Sequence, residues 1–198
     1  MAGCRPYENK LNYGDKKLII PFIISSLVII LDQISKYIVK TNMNLYDSFP
    51  LIKHIIDIHY IENEGASLGM LKDHRWVFMS LSSVALVLMG AAIFYFGKKS
   101  LRKNNLWINI ALALMFGGGV GNMIDRFTNE SVVKTGTKVV VDFIEFAFVD
   151  FATFNVADSF ICIGSVLFCI CMFAGKYKLK DTKDLTDKGN IENTEDIS

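Results

Sequence analysis

The sequence predicts an all-α membrane protein of four transmembrane helices, and three observations predict it. Apolar residues make up 52% of the 198-residue chain, before its 14 glycines are counted. Soluble domains reach only about 45–50% with glycine included. Those residues gather into four long runs, the signature of bilayer spans. Lys and Arg are denser beside the runs on one predicted side than on the other, as the positive-inside bias requires. The net charge of +1 excludes any bulk electrostatic attraction to nucleic acid.

Residues 1–17 form a polar tail with Arg5, Lys10, Lys16 and Lys17. No small-residue cleavage site follows a short apolar stretch, so this is not a cleavable leader. The first span runs from Leu18 to about Val39, with Pro21 in its first turn, where a missing N–H does no harm. Residues 41–75 are a mixed loop. Trp76 to Phe96 is the second span, long enough to cross about 30 Å of hydrocarbon. A basic turn (Lys98, Lys99, Arg102, Lys103) leads to the third span, Leu106 to about Ile124. Residues 125–153 are a second long loop, and Phe154 to Ala174 is the fourth span. The membrane domain is thus 18–176, and 177–198 is a polar tail of disordered composition. Both tails and the basic turn are expected in the cytoplasm, which makes the two long loops extracytoplasmic.

The first long loop is not plain coil. Residues 56–62 (Ile-Asp-Ile-His-Tyr-Ile-Glu) alternate like a half-buried strand, and Thr137 to Ile144 is β-branched. A small extracytoplasmic β element, with a loop and short-helix cover over a site, completes the expected architecture. Cys162, Cys169 and Cys171 lie in an apolar run and read as small hydrophobes packed between helices. His54, His59 and His74 lack ligand spacing, so no metal and no other cofactor is expected.

Carboxylates at membrane depth are costly and mark function by default. Asp142 sits in Val139-Val140-Val141-Asp142-Phe143-Ile144, and Asp158 at the mouth of the fourth span. Two acids that converge can share one proton and perform acid–base chemistry. Asp150 rivals Asp142 on periodicity alone. Asn155 lies three residues before Asp158, on the same helical face. Asp32 and Lys36 are spaced as an i,i+4 ion pair. Its simplest reading is structural, with Lys36 snorkelling to the interface, though Asp32 could also support a site. Asn63 and Gly65 read as an ordinary glycine turn, or as an amide that holds an extended backbone. Gly117 and Gly121 form a Gly-x-x-x-Gly face for close helix packing. Asn122 lies one turn before Asp125 and Arg126, which read as an interfacial charge cluster.

At these residues the chain resembles the bacterial lipoprotein signal peptidase (signal peptidase II) family over about residues 18–176. The resemblance rests on Asp32 with Lys36, Asn63-x-Gly65-Ala66, Gly117-Gly118-x-x-Gly121-Asn122-x-x-Asp125-Arg126, Val140-Val141-Asp142-Phe143 and Phe154-Asn155-Val156-Ala157-Asp158-Ser159. It implies a membrane aspartyl endopeptidase with Asp142 and Asp158 as its catalytic dyad. By the same resemblance Asn63, Gly65, Asn122, Arg126, Asn155 and Asp32 bind substrate or support the site. Lys36, Gly118, Gly121 and Asp125 are structural. The implied partners are lipid-modified prolipoproteins cleaved on the amino side of the diacylglyceryl-modified Cys, membrane phospholipid and globomycin-type inhibitors. No nucleic acid and no obligate protein partner are implied. The implied location is the bacterial plasma membrane, with the site at its extracytoplasmic face. Leu68 stands where the family usually has Phe, and Phe151-Ala152 where it often has Trp-Pro. These departures touch loop shape and substrate fit and leave the dyad intact.

Two other readings compete. A proton-coupled carrier would use Asp32, Asp142 and Asp158 as a relay, but no internal repeat is visible. An assembly factor would use the glycine face and leaves both aspartates unexplained.

Overall fold

The computed structural model describes residues 13–65, 75–98 and 104–173. The elements in chain order are α1 (Tyr13–Asn42), β1 (Ser48–Ile52), β2 (Ile56–Asn63), α2 (Arg75–Lys98), α3 (Asn104–Thr128), β3 (Val140–Phe146) and α4 (Val156–Phe173). Each helix contains a segment long and apolar enough to cross a bilayer: Ile19–Asn42, Met79–Phe96, Leu106–Thr128 and Val156–Phe173. The outer parts of both expected tails, the 99–103 turn, Ala66 to His74 and Cys4 lie outside the described residues, and so does the expected cover where it falls on 66–74.

α1 begins earlier than its apolar run, at Tyr13, so Pro21 lies in the helix interior rather than in its first turn. A proline there removes one helical hydrogen bond, which membrane helices tolerate when neighbours re-satisfy the freed carbonyl. The polarity of α1 is inverted relative to a soluble helix. Phe22, Ile23, Leu27, Ile30, Leu31 and Ile34 are exposed, whereas Ser25, Val28, Asp32, Lys36 and Val39 are buried. The buried line repeats every three or four residues, one helical face. Lipid is the solvent for the first set, so burial is reserved for groups that hydrocarbon would reject.

α3 is the axle of the bundle, packed against α1, α2 and α4, while α2 scarcely touches α4. Its glycines let the backbones approach. A methyl group on Gly121 would stand 2.6 Å from Asp32 Oδ2, and one on Gly118 would overlap the Ala157 carbonyl of α4. The Gly-x-x-x-Gly face therefore packs within the chain, against α1, since Gly117 meets Ser25 and Val28. Of the three cysteines in α4, only Cys171 packs between helices, with Ile93, Ile108 and Leu112. Cys162 and Cys169 are exposed, a correction to the expected packing, because they fall on the lipid-exposed side with Ile163, Val166 and Ile170.

The β element is a three-stranded antiparallel sheet in the order β1-β2-β3. β2 and β3 occupy the two segments expected to be extended. β1 carries Pro50 and is exposed throughout, as an edge strand permits. The sheet sits on the ends of α1 and α4 through Val39, Tyr60, Val141 and Phe143, with Val156 against them.

Candidate active site

Alternation along β3 decides where Asp142 points. Val141 and Phe143 enter the apolar cluster beneath the sheet, so Val140 and Asp142 face the other way, into a cavity. The chain then folds back on itself. The Phe154 carbonyl accepts from the amides of Phe143 (3.0 Å) and Ile144 (2.8 Å), and the Phe154 amide donates to the Ile144 carbonyl (2.9 Å). The rings of Phe146, Phe148, Phe151 and Phe154 close this return, with Phe146 5.2–5.9 Å from each of the other three. Phe151, at the place where the resembled family often has Trp, is part of that closure.

The return sets Asn155 beside Asp142 at the start of α4. Asn155 caps the helix: its Oδ1 accepts from the Asp158 amide (3.0 Å), and Asp158 Oδ2 accepts from the Asn155 amide (3.2 Å). This is a reciprocal capping box with Asp at its third helical position. The Asn155 side-chain amide, fully buried, donates to Asp142 Oδ1 (2.6 Å), to Asn122 Oδ1 (3.0 Å) and to the Val141 carbonyl (3.3 Å). Asn122, from α3, donates to Asp158 Oδ1 (2.7 Å). Asn63, from the end of β2, donates to Asp142 Oδ2 (2.9 Å), and its Oδ1 accepts from the Gly65 amide (3.0 Å). Two aspartates are thereby linked through two amides, Asp142–Asn155–Asn122–Asp158.

Asp142 is 2% exposed. Burial pushes its carboxyl up from 3.8 to about 7, with the negative charge of Asp158 acting in the same direction; the bonds from Asn63 and Asn155 oppose the rise. A carboxyl raised this far holds a proton near neutrality.

Beneath the aspartates lies a layer of buried charge. Lys36 Nζ donates to Asp32 Oδ2 (2.8 Å), Asp125 Oδ2 (2.9 Å) and Asn122 Oδ1 (2.9 Å). Lys36 is 2% exposed, and Asp32 and Asp125 are fully buried. Lys36 therefore does not snorkel, and Asp125 is not an interfacial charge. With two carboxylates and an amide oxygen waiting inside, the ammonium is better satisfied in the bundle than at the interface. Arg126 donates to the Asn122 carbonyl (3.1 Å) and reaches the Gly65 carbonyl (3.5 Å).

Asp142, Asp158, Asn63, Gly65, Asn122 and Arg126 all line one cavity of about 390 Å³. Its other wall is apolar, with Leu86 and Met89 from α2, Met115 from α3 and Ile161 from α4. Asp150 is exposed in the loop after β3 and lies outside this lining. Asp150→Asn is expected to keep activity within about twofold, as ordinary surface changes do; cleavage rates of the two proteins decide it. Ser159 is occupied, its hydroxyl donating to the Asn155 carbonyl (3.0 Å). His59 pairs with Glu145 (2.9 Å) on the sheet.

Two contributors were not singled out from the sequence. Gln33 Nε2 binds Asp32 Oδ2 (3.1 Å), Asp125 Oδ1 (3.0 Å) and the Gly121 carbonyl (3.2 Å). Its polarity beside Asp32, inside an apolar run, was the available signal. Glu62 holds the 131–132 turn through Ser131 Oγ (2.6 Å) and the Val132 amide (3.1 Å), steadying the strand end that carries Asn63; an acid closing a strand gives no such signal.

The fold and its sheet-capped cavity are those of a multi-pass membrane enzyme. Two solved structures, both described as bacterial membrane enzymes, superpose with TM-scores of 0.64 and 0.60 at 35% and 36% identity. Each match covers 82% of this chain and 92% or 94% of the other. Lipoprotein signal peptidases from two serotypes of Streptococcus pyogenes are 34% and 35% identical to it over 153 residues, 77% of this chain and 92% of theirs. Residues 24–174 match the family model described as Signal peptidase (SPase) II. The chain belongs to the signal peptidase II family. It is a protease, and its reaction is the removal of signal peptides from prolipoproteins.

Proposed function

We propose that Asp142 and Asp158 are the catalytic dyad and hydrolyse the peptide bond on the amino side of a diacylglyceryl-modified Cys. The observation that carries this reading is the linkage of both carboxylates by the amides of Asn122 and Asn155 at the edge of one cavity. Asp142 holds the shared proton, which its burial favours. Asp158 takes a proton from a water as that water attacks the scissile carbonyl carbon. Asp142 donates a hydrogen bond to the carbonyl oxygen and stabilises the charge growing there. Collapse of the tetrahedral species returns a proton to the leaving amine, and the dyad regains its single proton. Asn63 and Arg126 face the same space and hold the substrate backbone.

The site lies at the extracytoplasmic face of the bacterial plasma membrane, with both tails in the cytoplasm. The lysines of the two tails and of the 97–105 turn support this orientation. The membrane domain is 18–176. The signal helix enters from the bilayer along the apolar wall, on the side where α2 stands away from α4. Acyl chains remain in hydrocarbon, and each buried CH₂ contributes about 0.8 kcal/mol to holding the substrate at that depth. Globomycin-type inhibitors compete for this cavity, and membrane phospholipid surrounds it.

The test is a pH profile of the purified protein on a diacylglyceryl-modified precursor, with globomycin as the blocking control. The one-proton dyad is lost as Asp142 ionises, so cleavage is expected to fall as pH rises through about 7. The stability sign is the same. A carboxyl whose folded value stands above its unfolded one contributes stability that is full below about 4 and lost as pH rises through about 7. Wild-type melting temperature should thus decline over that window, and the decline should shrink in Asp142→Asn. A flat rate profile up to about pH 9 would remove Asp142 as the proton carrier.

A further inference from the structure

The buried charges beneath the dyad do more than balance one another. Asp125 Oδ2, besides receiving Lys36, accepts from the backbone amide of Val141 (3.3 Å). Asp32 Oδ1 accepts from the backbone amide of Ala157 (3.0 Å). Val141 immediately precedes Asp142, and Ala157 immediately precedes Asp158. Each inner carboxylate therefore holds the backbone of the residue just before one of the two dyad residues, and Lys36 joins the two carboxylates. We propose that Asp32, Lys36 and Asp125 are positioning residues, a strut that sets the separation and aim of the dyad carboxyls. The proposal rests on the reading of Asp142 and Asp158 as the dyad.

The geometry leaves little slack. The three hydrogens of the ammonium match three acceptors, Asp32, Asp125 and Asn122. The third bond also fixes which way round Asn122 sits: its oxygen faces Lys36 and Asn155, so its NH₂ group is aimed at Asp158. Gln33 ties the two inner carboxylates together a second time. The charged groups facing this layer are Asp32 and Lys36 on α1, Asp125 on α3, Asp142 on β3 and Asp158 on α4; Arg126 leans on the backbone of Asn122. A strut built from charge is stiff because moving the lysine away leaves the buried carboxylates of Asp32 and Asp125 without their counter-charge. A displacement of about 1 Å at reacting groups can cost about 10²-fold in rate, so rigidity here acts directly on turnover.

Three variants test the strut on the full-length protein in detergent: Asp32→Ala, Asp125→Ala and Lys36→Arg. Each alanine variant leaves Lys36 paired with one carboxylate, so no buried charge is abandoned. Lys36→Arg keeps the charge and replaces the three-way ammonium by a planar fork. The readouts are kcat and KM on a diacylglyceryl-modified precursor, thermal melting, and inhibition by a statine-type peptide whose hydroxyl must bridge both dyad carboxyls. The expected result for the alanine variants is cooperative melting, kcat lower by about 10²-fold and KM within about threefold of wild type. Affinity for the statine peptide should fall in step with kcat. For Lys36→Arg the expected kcat is lower by at least about tenfold. A cooperatively melting variant with wild-type kcat overturns the strut, and so does a kcat loss with statine affinity unchanged. If the alanine variants do not fold, Lys36→Arg decides. Turnover by Asp142→Asn or Asp158→Asn would instead defeat the dyad reading itself. Dead dyad variants beside fully active strut variants would defeat only this inference.

Discussion

Asp142→Asn and Asp158→Asn are each expected to lower signal-peptide removal by about 10³-fold or more, since a single acid–base group contributes about 10²–10⁴ and the two work as a unit. The two should differ in stability. Asparagine at 142 is a near-isostere of the protonated acid that burial already favours there. It removes the cost of ionising a buried group at about pH 8, which offsets the loss of one acceptor for the Asn63 and Asn155 amides, so the variant should melt near the wild-type temperature. Asparagine at 158 keeps an oxygen for either the Asn155 amide or the Asn122 amide but not both, so it should melt lower. A cleavage assay beside a melting curve separates loss of chemistry from loss of fold. A variant that melts normally and still processes precursor at the wild-type rate would eliminate that residue from the mechanism.

Asn155 is the second position of large expected effect, because it holds both ends of the site. Asn155→Ala removes the helix cap, at a cost of about 1 kcal/mol, and leaves Asp142 Oδ1 and Asn122 Oδ1 without their shared donor. Asn155→Ser restores a good cap but cannot reach across to Asp142. Both are expected to lose at least about 10²-fold in kcat, with serine recovering most of the stability that alanine loses. Denaturation in mixed micelles and single-turnover cleavage measure the two effects separately. Should serine recover the rate along with the stability, Asn155 would be a cap and nothing more.

Much of this was legible in the chain because hydrocarbon imposes simple demands. Four apolar runs give four helices, and an acid inside one of them stands out as Asp32 does. The extended form of β2 and β3 followed from alternation and β-branching at 56–62 and 137–144, whereas their antiparallel pairing came only with the fold. The depth of Lys36 was not legible, since an i,i+4 Asp–Lys pair has the same spacing whether it lies at the interface or in the interior. Its burial depends on Asp125 and Asn122, which reach it from another helix. The interior place of Pro21 was hidden because α1 starts before its apolar run. β1 was hidden because Pro50 and full exposure are poor strand signals, and an edge strand needs no better ones. The resemblance favoured Asp142 over Asp150 where periodicity did not; the fold puts Asp142 in the cavity lining and leaves Asp150 exposed outside it.

The return of Phe154 onto Ile144 has a consequence for biosynthesis. Asn63 reaches Asp142 across 79 positions of chain, and Asn155 and Asp158 arrive only with the last helix. A ribosome-bound intermediate that has released three helices therefore has Asp142 without Asp158, one half of the proposed dyad. On the proposed dyad, hydrolytic power would arise only once α4 has been made.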